Sequence, residues 1–199
     1  KNGLEVILEE RHTLPLVAVG TWFKIGSGDE RPGTTGLSHF CEHMNFKESA
    51  SFPRPGELDA FLSAWGAQIN GYTWLDTTCH FSLVLKGGLD AALRAEAERM
   101  HAMLYESKSI EIERGVIMAE KAGDLNDPEE RVFEELSLTA MTVHPYRWPT
   151  VGTKEDLLRI PASKIREHWQ RYFVPNNATL VVVGDFISVS YTHLTLPTK

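Results

Sequence analysis

Gly36-Leu37-Ser38-His39-Phe40-Cys41-Glu42-His43-Met44 organises the rest of the chain. Leu37, Phe40, Cys41 and Met44 recur at helical spacing, so this stretch is read as a helix with one apolar face. His39 and His43 are i and i+4 and leave that helix on one side, about a turn apart. Two imidazole nitrogens so placed can grip one Zn²⁺ at about 2.0–2.1 Å each. Glu42 borders the same face and is placed to act as a base rather than a ligand. A random chain of this composition shows H-x-x-E-H roughly 3 times in 100, so the pattern needs support from the rest of the sequence.

The neighbouring segments supply a frame. Upstream, Leu16 to Ile25 alternates and is rich in Val, Trp and Phe, which predicts a strand. A turn-rich loop, residues 26–33, follows, and Thr34 or Thr35 is placed to cap the helix, which is expected to run to about Lys47. Leu4 to Leu8 is a shorter strand-like run. Downstream, Glu57 to Trp65 reads as a helix. Residues 68–74 and 77–85 read as an antiparallel pair around Leu75-Asp76. Helices are expected over Leu89 to Leu104, Ile110 to about Leu125, and from Asp127-Pro128 to Met141, with Pro128 at the first helical position. A short helix at Lys154 to Leu158, a longer one from Pro161 to Phe173, and a last buried strand at Ala178 to Val183 complete the order. Strands at both ends of a helix-rich middle predict an α+β domain with a mixed, largely antiparallel sheet and helices on one face.

Composition narrows the function. The chain has 199 residues, 42% hydrophobic and 24% charged, enough for one sizeable core. A net charge of −7, with no basic run, argues against nucleic acid as a partner. No apolar run approaches the length of a membrane helix. Cys41 and Cys79 have no metal or disulfide spacing. A start at Lys1 without Met reads as a fragment whose true start is missing.

A catalytic zinc held by two histidines needs a third protein ligand. Glu113 and Glu120 are i and i+7 on one predicted helix face, so one could bind metal while the other hydrogen-bonds a ligand. A solvated acidic face is the competing reading, and spacing does not choose between the two glutamates. Cys41, i+2 from His39, points to the core. His80 reads as a packed or surface residue, His144 as structural, and the five tryptophans as core and loop packing.

The stretch Gly33-x-x-Gly36-Leu37-Ser38-His39-Phe40-Cys41-Glu42-His43-Met44-x-Phe46-Lys47 resembles the active-site helix of the pitrilysin/insulinase zinc metallopeptidases. Its H-x-x-E-H is the reversed zinc-protease motif that marks the inverzincins. The likeness continues through Ala67-Gln68-Ile69-Asn70-Gly71-Tyr72-Thr73 and Asp76-Thr77-Thr78. It runs on through residues 113–120, His144-Pro145-Tyr146, Val151-Gly152, residues 172–178 and Val183-Gly184-Asp185-Phe186. The 76 residues between His43 and Glu120 match the family's spacing between motif and ligand glutamate. The resemblance implies that His39, His43 and Glu120 bind Zn²⁺ and that Glu42 activates water. It implies a supporting role for Glu113 beside the ligands. Asn70 is implied to meet the main chain of a peptide substrate, with a buried turn asparagine as the competing reading. The sequence resembles most the bacterial members, which are often periplasmic or membrane-attached.

Asn45 and Glu48-Ser49 stand where the family more often has an apolar residue and Gly-Thr. Family members also pair this domain with a homologous C-terminal domain or partner subunit, which helps to bind substrate. The expected domain is residues 1–187, with 188–199 a non-native, adapter-like tail whose His193 has no role. Three functions compete: a zinc endopeptidase acting on peptides or unfolded polypeptides, a zinc-binding but inactive fragment, and a non-catalytic scaffold or processing-peptidase-like subunit.

Overall fold

The computed structural model describes residues 2–124 and 126–188. Among these residues five strands form one sheet in the order β1-β5-β2-β4-β3: β1 is Glu5–Glu10, β2 Leu16–Phe23, β3 Gln68–Thr73, β4 Thr78–Leu85 and β5 Ala178–Gly184. Only β1 and β5 run parallel; the β2–β4, β2–β5 and β3–β4 pairs are antiparallel. The expected α+β architecture with a mixed, largely antiparallel sheet is what the chain adopts. The last strand enters between the first two, pairing Ile7 with Val181 on one side and Gly20 with Val181 on the other.

The helices are α1 Leu37–Met44, α2 Glu57–Ser63, α3 Leu89–His101, α4 Ser107–Asp124, α5 Pro128–Ala140, α6 Lys154–Arg159 and α7 Ala162–Tyr172. The strand period of two places Val17, Val19 and Phe23 of β2 on the helix side, beside Val84 of β4 and Leu180 and Val182 of β5; all are buried. Trp22, Tyr72, Phe81 and Leu85 fall on the opposite face, where Tyr72, Phe81 and Leu85 are exposed. The core divides at α1 and α3. Leu89, Ala92 and Leu93 of α3 lie on the sheet, and Phe40, Cys41 and Met44 of α1 pack with Ile110 and Ile117 of α4 and Ile165, Trp169 and Phe173 beyond. Fully burying one such large apolar side chain contributes about 1.5–3 kcal/mol, which is what orients so short a helix.

Some boundaries differ from expectation for local reasons. Helix α1 stops at Met44 because Phe46 and Lys47 donate to the i−3 carbonyls of His43 and Met44, tightening the end into a turn. Strand β1 begins one residue later than expected and extends to Glu10, because its partner β5 runs to Gly184. Asp127 caps α5 by accepting from Glu129 N at 2.8 Å, with Pro128 following it. Of the tryptophans only Trp169 is buried, while Trp65 and Trp74 are exposed. Residues 189–199, including His193 and nearly all of the expected tail, lie outside the described residues. Among the described residues no helix is long and apolar enough to cross a membrane.

Candidate metal centre

Helix α1 is held from outside at its start. Gly36 takes φ +89°, and a Cβ there would collide with the Val151 carbonyl. The cap is neither Thr34 nor Thr35. Thr35 Oγ1 donates to Asp156 Oδ2 at 2.6 Å, and Thr34 Oγ1 donates to the Arg31 carbonyl. The buried Glu30 carboxylate takes the place of the cap, accepting from Gly36 N at 2.6 Å and Ser38 N at 2.7 Å. Burial pushes Glu30 up to about 8 against the opposing pull of those two amides. Nothing local in the sequence marks Glu30, because it lies in the preceding loop.

The helix presents His39 and His43 towards α4. Their Nε2 atoms lie 3.3 Å apart. Glu120, on α4, completes a triangle: Oε1 is 3.6 Å from His39 Nε2 and Oε2 is 3.3 Å from His43 Nε2. Donors about 2.0–2.1 Å from a tetrahedral zinc lie about 3.3–3.4 Å from one another, so the three groups are spaced as such ligands are. Among the described residues this is the one group of three His, Cys, Asp or Glu side chains whose donor atoms all lie within 4.8 Å. Glu113, two turns before Glu120, comes to the other side of the His43 ring. Its Oε1 is 2.9 Å from His43 Nδ1 and its Oε2 is 2.7 Å from Lys47 Nζ. That bond puts the Nδ1 proton towards Glu113 and leaves Nε2 to face His39 and Glu120. The donor set therefore fits zinc: two imidazoles and a carboxylate converge, with one ring orientation locked from behind.

Charge within the site follows the same contacts. Burial lowers His39 to about 4, and the neighbouring His43 adds to this. Burial also pulls His43 down, but Glu113 and Glu120 outweigh it and hold the ring up at about 9. Glu120 lies below the usual carboxylate range, chiefly through its hydrogen bond to His43.

Glu42 is buried, and its Oε2 accepts from Thr73 Oγ1 on β3 at 2.7 Å. Burial raises its pKa against the opposing pull of Thr73 and His43. Gly71 of β3 gives it room, since a Cβ there would lie 3.2 Å from Glu42 Oε1 and 3.0 Å from the Cys79 carbonyl. Thr73 and Lys47 are not among the site residues expected from sequence; Thr73 lies on a distant strand, whereas Lys47 is i+4 from His43, a spacing that points to it.

His39, Glu42, His43, Asn70, Glu113 and Glu120 all line one cleft of ≈ 550 Å³. Asn70 is exposed on β3, an edge strand of the sheet, with Oδ1 accepting from Gly71 N at 2.8 Å; it is not a buried turn residue. A second hollow of ≈ 410 Å³ adjoins the first through Asp124, Glu130, Thr150 and Val151. Cys41 is buried in the core, as expected. His80 is also buried, with Nε2 3.4 Å from the Glu42 carbonyl. His144 is exposed, and its Nδ1 accepts from Tyr146 N, a local contact within its loop.

Comparison with known proteins agrees with this geometry. The family model described as Insulinase (Peptidase family M16) matches residues 5–154. The zinc protease PqqE of Helicobacter pylori is 30% identical over 187 residues, covering 93% of this chain and 42% of the relative. A Bacillus subtilis protein described as the uncharacterized zinc protease YmxG is 29% identical over 185 residues, covering 93% and 45%. The crystal structure of a protease from Helicobacter pylori superposes with a TM-score of 0.91 at 28% identity, over 100% of this chain and 51% of that one. The chain thus spans about half or less of the length of these proteins. With 150 of its residues matched by the family model, the chain belongs to the insulinase family, peptidase family M16.

Proposed function

We propose that this chain is the metal-bearing part of a zinc-dependent endopeptidase that cleaves peptides or unfolded polypeptides. The supporting observation is the convergence of His39, His43 and Glu120 donors beside a buried, hydrogen-bonded Glu42 in one open cleft. In this reading His39, His43 and Glu120 hold Zn²⁺, and Glu113 fixes the His43 ring through Nδ1. Zinc, when bound, supplies a Lewis acid that acidifies water and polarises the peptide carbonyl. Glu42 accepts the proton of the attacking water at the carboxylate oxygen not engaged by Thr73, and then returns it to the leaving amine. The peptide lies against β3, whose outer edge has no strand partner among the described residues, so substrate main chain adds there as a further strand and Asn70 meets it.

The relatives are about twice as long as this chain, which supports a homologous half that closes over the peptide in the working enzyme. Two other readings, a zinc-binding but inactive piece and a non-catalytic scaffold subunit, are separated by experiment. Zinc content should be one per chain in the wild type and fall to background in His39→Ala. Peptide hydrolysis, measured with the chain joined to a homologous C-terminal half, should vanish in Glu42→Gln while zinc is retained. Equal zinc in wild type and His39→Ala overturns the site. Zinc binding without any Glu42-dependent hydrolysis overturns the peptidase and leaves the scaffold.

A further inference from the structure

An arginine and a glutamate lie buried together behind α1. Arg99 and Glu96 of α3 are both 0% exposed and form an ion pair with each other. Removing such a pair from water costs several kcal/mol per ion, and replacing it by apolar side chains of similar volume is often neutral or stabilising. Stability is therefore a poor account of it, and its contacts suggest a better one.

Arg99 Nε donates to the Asn45 carbonyl at 3.3 Å, and its guanidinium lies over the Phe46 ring at 5.1 Å. Asn45 and Phe46 are the first two residues after α1, and Phe46 lines the metal cleft. Side chains from elsewhere also meet the last turn of that helix, whose Cys41 and Glu42 carbonyls accept from Asn45 N as well. Tyr105 Oη lies 3.2 Å from the Cys41 carbonyl and 3.0 Å from Asn45 Oδ1, with its one proton shared between the two acceptors. His80 Nε2, on β4, donates to the Glu42 carbonyl at 3.4 Å. An eight-residue helix has too few internal hydrogen bonds to keep its own direction. A buried cation at its carboxyl end is also favoured by the helix dipole.

We propose that Arg99, paired with Glu96 in the core, is a positioning residue for the H-x-x-E-H helix. It fixes the exit of α1 at Asn45 and the cleft wall at Phe46, and through them the angle at which Glu42 and His43 face the substrate. This inference rests on the zinc-peptidase reading for its kinetic consequence but not for its structural one.

The test removes the pair as a unit in the full chain, as Glu96→Leu/Arg99→Met, so that no lone charge is left buried. Hydrogen–deuterium exchange at the amides of Asn45, Phe46 and Lys47 should speed up at least tenfold. Zinc stoichiometry should stay at the wild-type level. With the homologous C-terminal half present, kcat for peptide cleavage should fall tenfold or more, with KM within twofold. Arg99→Lys keeps the charge but loses the Nε contact. It should move exchange and kcat in the same direction by about threefold, and it serves as the test if the double variant does not fold. Wild-type exchange at residues 45–47 in the variant that folds overturns the proposal, as does a raised KM at unchanged kcat. If the wild-type protein cleaves no peptide, the peptidase reading fails and the exchange comparison still decides the role of Arg99.

Discussion

Glu113 Oε1 stands 2.9 Å from His43 Nδ1, on the far side of the imidazole from the Nε2 that faces His39 and Glu120. Lys47 Nζ, 2.7 Å from Oε2, holds the same carboxylate in place, and the two contacts keep Glu113 below the usual carboxylate range although burial opposes them. Replacing it by Gln keeps the size and removes the charge. Glu113→Gln should weaken zinc binding by about 10–100-fold, the usual loss when such a partner of a ligand histidine is changed. Competition with a chelator of known affinity measures this, and an unchanged zinc affinity would rule out the role assigned to Glu113.

Thr73 and Glu42 form the second such relationship, across from β3 to α1. Thr73→Val deletes the hydroxyl and keeps the branch. A hydrogen bond to a charged group is worth about 1.5–3 kcal/mol, so kcat should fall by about tenfold or more. Zinc content should not change, since the side-chain bond of Thr73 goes to Glu42 and not to the proposed ligands. A loss of zinc together with activity would place Thr73 in the metal site instead.

His168 of α7 provides the pH dependence. Burial lowers its pKa to about 4, Arg171 adds to this, and its Nε2 meets Ser38 Oγ at 3.1 Å. The folded value lies below the ordinary histidine value of 6.5, so the unfolded chain binds the proton more readily. His168 therefore contributes stability that is present above pH 6.5 and is lost as pH falls towards 4. Between pH 7 and pH 5 this amounts to about 2 kcal/mol, or roughly 4–8 °C in Tm for a chain of this size. Thermal unfolding of His168→Gln at the two pH values should show a smaller acid drop than the wild type. An equal drop in both would show that other groups carry it.

The legible parts of the fold are those written at short range. Leu37, Phe40, Cys41 and Met44 predict α1 because a helix brings i, i+3, i+4 and i+7 to one face, and all four are buried. The β3–β4 pairing follows from two alternating runs a few residues apart, and the α5 cap from Asp127-Pro128. The threonine cap failed because the amides of Gly36 and Ser38 found a better acceptor, a carboxylate brought by the preceding loop.

His39, His43 and Glu42 needed only the helical period to be placed together, since neighbours on one helix face are determined by the chain itself. Spacing also put Glu113 and Glu120 on one face of α4, but spacing alone left open which of them meets the histidines. The packing of α4 on α1 decides it, setting Glu120 at Nε2 and Glu113 at Nδ1 of the same ring. The contacts of Glu42 with Thr73, of Lys47 with Glu113 and of Arg99 with Asn45 join distant elements. Their partners depend on how whole helices and strands pack against one another, which no local periodicity records.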